Sequence, residues 1–180
     1  MAESIPEAER RVLRTLAGPV LLRLPPPGWL TRRIQGQYAV LGKRIEKMDT
    51  ATFARRRTIK RFPGLEPSSL DWSPRMICEH LLYVGKDFLR IIRDLEATGA
   101  CGLTVSTAAV KPRGEMPDAW DKLRAHGREY VAEARARNWR GIAGKHAHPW
   151  FGPLSARRWH GLYWVHLRLH MRQLERVLED

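Results

Sequence analysis

Four segments of this chain carry apolar residues at helical periodicity, the spacing that places them on one face of an α-helix. Their positions are Ile34, Tyr38, Leu41, Ile45 and Met48; Met76, Ile77, Val84, Phe88 and Ile91; Trp120, Leu123, Gly127, Tyr130 and Ala134; and Trp159, Tyr163 and Val177. No segment alternates convincingly as a β-strand, although residues 103–110 are compatible with a short extended piece. Four amphipathic helices in a chain of 180 residues predict an all-α fold, a four-helix bundle.

Residues that favour helix N-termini mark where these helices begin. Thr31 is the expected N-cap of the first helix and Ser155 that of the fourth. Before the second helix, Ser73 takes the cap position and Pro74 the first helical position, where its missing N–H costs nothing. The third helix follows Pro117. These signals predict where each helix starts and therefore how deep its side chains lie in the bundle.

The bundle does not account for the start of the chain. A short additional helix is expected from about residue 6 to residue 16. We therefore divide the chain into an N-terminal extension over residues 1–28 and a four-helix bundle domain over residues 29–180.

Three histidines lie on the apolar faces of two of the helices. His166 and His170 are four residues apart on the fourth helix, on its core-facing third. His80 lies between Ile77 and Val84 on the second helix. Three imidazoles therefore point towards the interior of the bundle from two helices.

The depths of these histidines determine whether they can meet. His80 follows its N-cap by seven residues, and His166 and His170 follow theirs by eleven and fifteen. At a rise of about 1.5 Å per residue, the three histidines reach the same level of the bundle only if the second and fourth helices are antiparallel. That arrangement requires a crossover between the second and third helices, and residues 97–116 are long enough, because ten to twelve extended residues span roughly 34 Å. We therefore predict an up-down-down-up topology.

Three neutral imidazoles form a sufficient ligand set for a divalent transition metal and leave a coordination position for water or substrate. The alternative is that each histidine is hydrogen-bonded to a carbonyl group or a neighbour. Gln173 and Asp87 face the same way as the histidines, either as partners that orient an imidazole or as solvated side chains. His146 and His148 precede the fourth helix, and we expect them to lie far from the three histidines, with His148 in a structural role.

The chain is basic, with 32 Lys and Arg against 19 Asp and Glu and a formal charge of +13. The basic residues are spread over all segments, so nucleic acid is a possible partner that no recognition motif favours. The sequence shows no secretory signal and no membrane span. Two isolated cysteines are expected to be reduced thiols in a cytoplasmic protein.

Two segments carry a resemblance to a known family. The C-terminal match consists of His148, Pro149, Phe151, Gly152, Leu154, Ser155, Trp159, Leu162, His166, His170 and Gln173. Together with WSPRMICEHLLYVGK around His80, it resembles the DinB/YfiT-like superfamily of metalloenzymes, in the branch that ends HPxFGxLTxxxWxxLxxxHxxHHxxQ. The likeness covers roughly residues 30–180, and the chain departs from the pattern at Leu169, where a further histidine is common.

The resemblance implies an up-down-down-up bundle that binds zinc, nickel or a similar ion, with iron or manganese as alternatives, through His80, His166 and His170. It also implies a homodimer. Characterised relatives include thiol-dependent transferases and a maleylpyruvate isomerase that use low-molecular-weight thiols. The expected function is therefore activation of water or a small thiol for hydrolysis or transfer. The alternative is a basic nucleic-acid-binding or dimerising helical module without catalysis.

Overall fold

The computed structural model describes residues 25–179, so the helix expected over residues 6–16 lies outside the described residues. The helices are α1 Pro27–Ile45, α2 Thr50–Ala54, α3 Pro74–Thr98, α4 Ala119–Ala136 and α5 Ala156–Leu178. One turn of 3₁₀ helix spans Pro67–Ser69. Two short antiparallel ladders join β1 Arg57–Thr58 to β2 Asp71–Trp72, and β3 His146–His148 to β4 Gly152–Leu154. Neither ladder was predicted from the sequence pattern, and residues 103–110 form no strand.

The long helices α1, α3, α4 and α5 form the predicted four-helix bundle, in which α3 and α1 each pack against both α4 and α5. Gln173, near the end of α5, donates to the carbonyl of Ser69, just before α3, so α3 and α5 are antiparallel. Arg93, late in α3, donates to Glu133 in the last turn of α4, so α3 and α4 are parallel. The predicted crossover and the up-down-down-up topology are confirmed.

The start of α3 follows the prediction. The hydroxyl oxygen of Ser73 accepts a hydrogen bond from the N–H of Met76 at 3.2 Å, and Pro74 is the first helical residue. The helix ends where Gly99 takes a left-handed conformation with φ of 75°, which glycine adopts without steric cost. The apolar face of α3 is buried in the bundle core.

The predicted start of α1 is wrong. The helix begins at Pro27 and not after Thr31, because a proline at the first helical position is itself a start signal within PPPG. Thr31 is buried inside the helix, where its hydroxyl donates to the carbonyl of Pro27 at 2.9 Å. Met48 lies beyond the helix end.

Gly127, on the apolar face of α4, allows a close contact with α1. A Cβ atom there would lie 2.5 Å from the ring of Tyr38 on α1, nearer than real contacts allow. Among the helices within residues 25–179, none combines the length and the apolar composition that a membrane crossing requires.

Candidate metal centre

The three predicted histidines meet between α3 and α5. Each can offer one ring nitrogen to a common point, and these three atoms lie within 4.8 Å of one another. The Nε2 atoms of His80 and His166 are 3.0 Å apart. The His170 ring centroid is 4.5 Å from that of each of the other two. The cluster inferred from helix depth is therefore present in the fold.

Hydrogen bonds fix the orientation of two of the rings. His80 donates from Nδ1 to the carbonyl of Val110 at 2.8 Å, and His170 donates from Nδ1 to Oε1 of Gln173 at 2.6 Å. A proton on Nδ1 leaves the Nε2 lone pair of each ring unprotonated. The Gln173 amide is held in turn by its bond to the carbonyl of Ser69 at 2.7 Å. Gln173 thus has the ring-orienting contact that was one of its two predicted roles.

Burial keeps the three imidazoles neutral. It lowers the pKa of His80 from 6.5 to about 4, despite the opposing effect of the Val110 hydrogen bond. Burial and the neighbouring histidines lower the pKa values of His166 and His170 well below the ordinary value. The indole of Trp72 stacks on the His170 ring at a centroid distance of 5.9 Å and contributes to this apolar environment. At neutral pH the cluster therefore presents neutral rings, the form that binds metal ions.

The spacing is compatible with one small divalent ion. Two nitrogens that each lie about 2.0–2.1 Å from a tetrahedral zinc ion are about 3.3 Å apart. The Nε2 atoms of His80 and His166, at 3.0 Å, lie within a few tenths of an ångström of that separation. The three ligand atoms are spread over as much as 4.8 Å, so the widest pair would close by about 1.5 Å around the ion. Three nitrogens with no fourth His, Cys, Asp or Glu in the group of described residues leave a coordination position for a small ligand.

The crossover between α3 and α4 contributes to the centre as well as to the topology. Glu79, next to His80 and fully buried, accepts hydrogen bonds from the N–H groups of Arg113, Gly114 and Met116 at 3.0, 2.8 and 2.7 Å. These bonds fasten the crossover to α3, and the same segment supplies the Val110 carbonyl that orients His80. Nothing in the local sequence around Glu79 indicates this contact with the crossover.

A small cavity of about 90 Å³ adjoins the three histidines. Its lining is mostly apolar and includes Trp72, Val84, Phe88, Val105, Val110 and Leu169. Asp87 and Glu66 also line it, and burial raises the pKa of both carboxyl groups. Within the described part of the chain, Asp87 makes no hydrogen bond to an imidazole, so it lies at the cavity without the orienting contact that Gln173 makes.

The expected position of His148 is wrong, because this residue lines the same cavity as the three histidines. The unpredicted β3–β4 hairpin folds back along α5, and the His148 ring lies 5.3 Å from that of Trp159. Its Nδ1 accepts a hydrogen bond from the N–H of Trp150 at 3.1 Å, so the neutral ring carries its proton on Nε2. Burial lowers the pKa of His148 to about 4. His146 is not part of the lining.

Two further buried histidines were not predicted from the sequence. His160 is fully buried, with Nδ1 bonded to the hydroxyl of Tyr130 at 2.9 Å and Nε2 to that of Thr31 at 3.1 Å. His126 is buried against Gly85 of α3. Each lies at a core position of its helical pattern, and this position could have predicted its burial. The pattern alone does not show whether such a histidine is hydrogen-bonded in the core or binds a ligand. Both residues belong to the bundle interior.

The comparisons with known proteins address the fold. No protein-family profile matches the sequence, and no curated protein matches it. A solved structure described as TT2238, a four-helix bundle protein, resembles this chain with a TM-score of 0.55 and 21% identity. The likeness covers 83% of this chain and 98% of that one. At this identity the similarity establishes the four-helix bundle alone.

Proposed function

We propose that this chain is a DinB-like metal-dependent enzyme whose divalent ion is held by His80, His166 and His170. The observation that carries the proposal is the convergence of three neutral imidazoles, within 4.8 Å of one another, beside an apolar cavity. His80 and His170 each donate from Nδ1 to a protein acceptor, which leaves their Nε2 lone pairs to bind an ion. Zinc and nickel are the favoured ions for an all-imidazole set, with iron and manganese as alternatives.

Each residue of the centre has a definite task in this proposal. The three histidines bind the ion, and Gln173 and the Val110 carbonyl hold two of the rings with Nε2 inward. Trp72, Val84 and Phe88 restrict water and favour a substrate with an apolar body. His148, protonated on Nε2, is the candidate donor to a polar atom of that substrate. When bound, a divalent ion in such a site supplies Lewis acidity that lowers the pKa of water or a thiol.

The size of the cavity limits the substrate. A volume of about 90 Å³ holds a few water molecules or a small organic group, since one water needs roughly 10–15 Å³ by this measure. The proposed reaction is therefore hydrolysis of, or thiol transfer to, a small molecule. We propose a cytoplasmic location because both cysteines are free thiols, and a homodimer because the resemblance implies one.

Cobalt titration of metal-free protein tests the proposal. Three imidazole ligands should give visible absorption that saturates at one cobalt per chain and is lost in His166→Ala. Addition of 2-mercaptoethanol should then add a near-ultraviolet sulfur-to-cobalt band if a thiol is the cosubstrate. A cobalt spectrum that does not respond to the thiol favours the hydrolytic form of the proposal. Failure to bind cobalt in the wild-type protein would remove its basis.

A further inference from the structure

On its outer side the bundle carries a groove between the parallel helices α1 and α5, which we call the α1–α5 groove. It is lined by residues that include Trp29, Arg33, Val40, Trp164, Arg168 and Arg172. Its volume is about 1080 Å³, against about 90 Å³ for the cavity at the histidines. The groove is therefore suited to an extended ligand, whereas the metal centre is suited to a small one.

Guanidinium groups in the groove are stacked on aromatic rings. Arg33 lies over Trp29 at 4.8 Å, Arg168 over Trp164 at 5.4 Å, and Arg172 over Phe62 at 4.7 Å. The two indoles also contact each other edge to face, with centroids 5.5 Å apart. Stacking fixes the plane of each guanidinium and leaves its N–H edge available to an acceptor.

These arginines lack acidic partners in the described part of the chain. Arg32, Arg33, Arg168 and Arg172 are exposed, and none of them forms an ion pair with a carboxylate of residues 25–179. Elsewhere on the bundle, arginines at α3 and α4 pair with glutamates. The acid in the groove, Glu175, is already hydrogen-bonded to Arg44 at 2.7 Å. The groove is therefore a concentration of unneutralised positive charge.

The α1–α5 groove also carries apolar side chains and a glycine that has no side chain to fill it. Val40 and Val165 are 46% and 37% exposed, which makes them the exposed large hydrophobic residues of the described chain. Gly36, in the middle of α1, has open space where a Cβ would be, with no atom within 4 Å. A mid-helix glycine is unfavourable relative to alanine, and the internal packing of this bundle does not require it. A ligand that approaches the α1 backbone closely would require it.

We propose that the α1–α5 groove binds single-stranded nucleic acid, independently of the metal centre. The unpaired guanidinium groups would bind the phosphates, and the guanidinium planes and the two partly exposed indoles would stack with the bases. A second copy of this chain is a poorer occupant, because a two-fold interface would place the unpaired arginines of both copies against each other. An acidic protein would match the charge but would not use the stacked planes.

Fluorescence anisotropy of a labelled oligothymidylate of twelve nucleotides measures its binding to the full-length protein and tests the proposal. Binding should weaken with salt, with a log–log slope of about −2.8 for four phosphate contacts. The variant Arg168→Gln/Arg172→Gln should bind about tenfold more weakly with a slope of about −1.4, because two contacts are lost. The control Arg128→Gln/Arg140→Gln removes the same charge elsewhere and should bind like the wild type. Chelator should have no effect.

Two further measurements keep the test decisive. An abasic strand of equal length carries the same phosphates without bases and should bind markedly more weakly. Gly36→Glu places a carboxylate at a position with open space, so it should leave the fold intact and abolish binding. The proposal would be overturned if the abasic strand bound with equal affinity, or if the groove and control variants lost equal amounts of binding. It would also be overturned if the protein formed a concentration-dependent dimer that only the groove variants disrupt.

Discussion

Gln173→Ala should weaken metal binding because it removes the contact that orients His170, although Gln173 is not itself a ligand. Gln173 is fully buried, and its amide joins Nδ1 of His170 to the carbonyl of Ser69. The substitution leaves one donor and one acceptor unpaired, at about 1–3 kcal/mol each, or about 2–6 kcal/mol of folding free energy. Loss of such an orienting partner typically lowers metal affinity by about 10–100-fold, equivalent to about 1.4–2.8 kcal/mol.

Two assays separate these effects. Competition with a chromophoric chelator gives the metal affinity, and urea unfolding in EDTA gives the stability of the metal-free protein. Leu174→Ala is the matched control, because Leu174 is equally buried, adjacent on α5 and makes no hydrogen bond to a histidine through its side chain. It should cost about 2–5 kcal/mol of stability and leave the metal affinity nearly unchanged.

A third variant tests the direction of the effect. Gln173→Glu keeps an acceptor for His170 and should bind metal more tightly than Gln173→Ala, although it loses the bond to Ser69. If Gln173→Ala lost stability as Leu174→Ala does but kept the wild-type metal affinity, Gln173 would be a packing residue alone. The reasoning about imidazole orientation would then be refuted.

Three further predictions concern the bundle around the centre. Burial lowers the pKa of His160 from 6.5 to about 4, so between these pH values the unfolded chain binds a proton that the folded chain does not. The free energy of unfolding should therefore fall on acidification by about 1.4 kcal/mol per pH unit from this histidine, and denaturant titrations of metal-free His160→Gln should show a smaller slope. Glu79→Ala leaves three N–H groups of the crossover without their acceptor and should destabilise the protein by about 3 kcal/mol or more. Hydrogen exchange at those three amides should accelerate, and unchanged protection would contradict the assigned contact. Gly85→Ala should destabilise the protein, because a Cβ there would lie 2.7 Å from the hydroxyl of Tyr163, whereas Gly36→Ala, with open space around it, should stabilise it by about 1 kcal/mol in thermal or urea unfolding.

The topology was predictable because helix length, histidine depth and linker length are all set by residue number. His80 and His170 could meet only if α3 and α5 were antiparallel, and residues 97–116 were long enough for the required crossover. These are properties of regular helices, which rise by a fixed distance per residue. The sequence therefore predicted the three-histidine cluster as well as the bundle.

The contacts made by irregular segments were not predictable in this way. The path of the crossover depends on tertiary hydrogen bonds to Glu79, so the orienting carbonyl of Val110 had no local signal. The position of His148 depends on a short hairpin whose pairing the sequence pattern did not reveal. Asp87 shared the correct helix face with His80, yet facing the cavity did not bring it into contact with an imidazole.

Metal analysis of the purified protein tests the central claim most directly, with the protein expressed in cells supplied with zinc, nickel, iron and manganese. A three-histidine site predicts about one ion per chain in the wild type and a nearly complete loss in His170→Ala. His146→Ala removes a histidine that does not line the cavity and should retain the ion. Substoichiometric amounts of all four metals in the wild type, or an unchanged content in His170→Ala, would contradict the account.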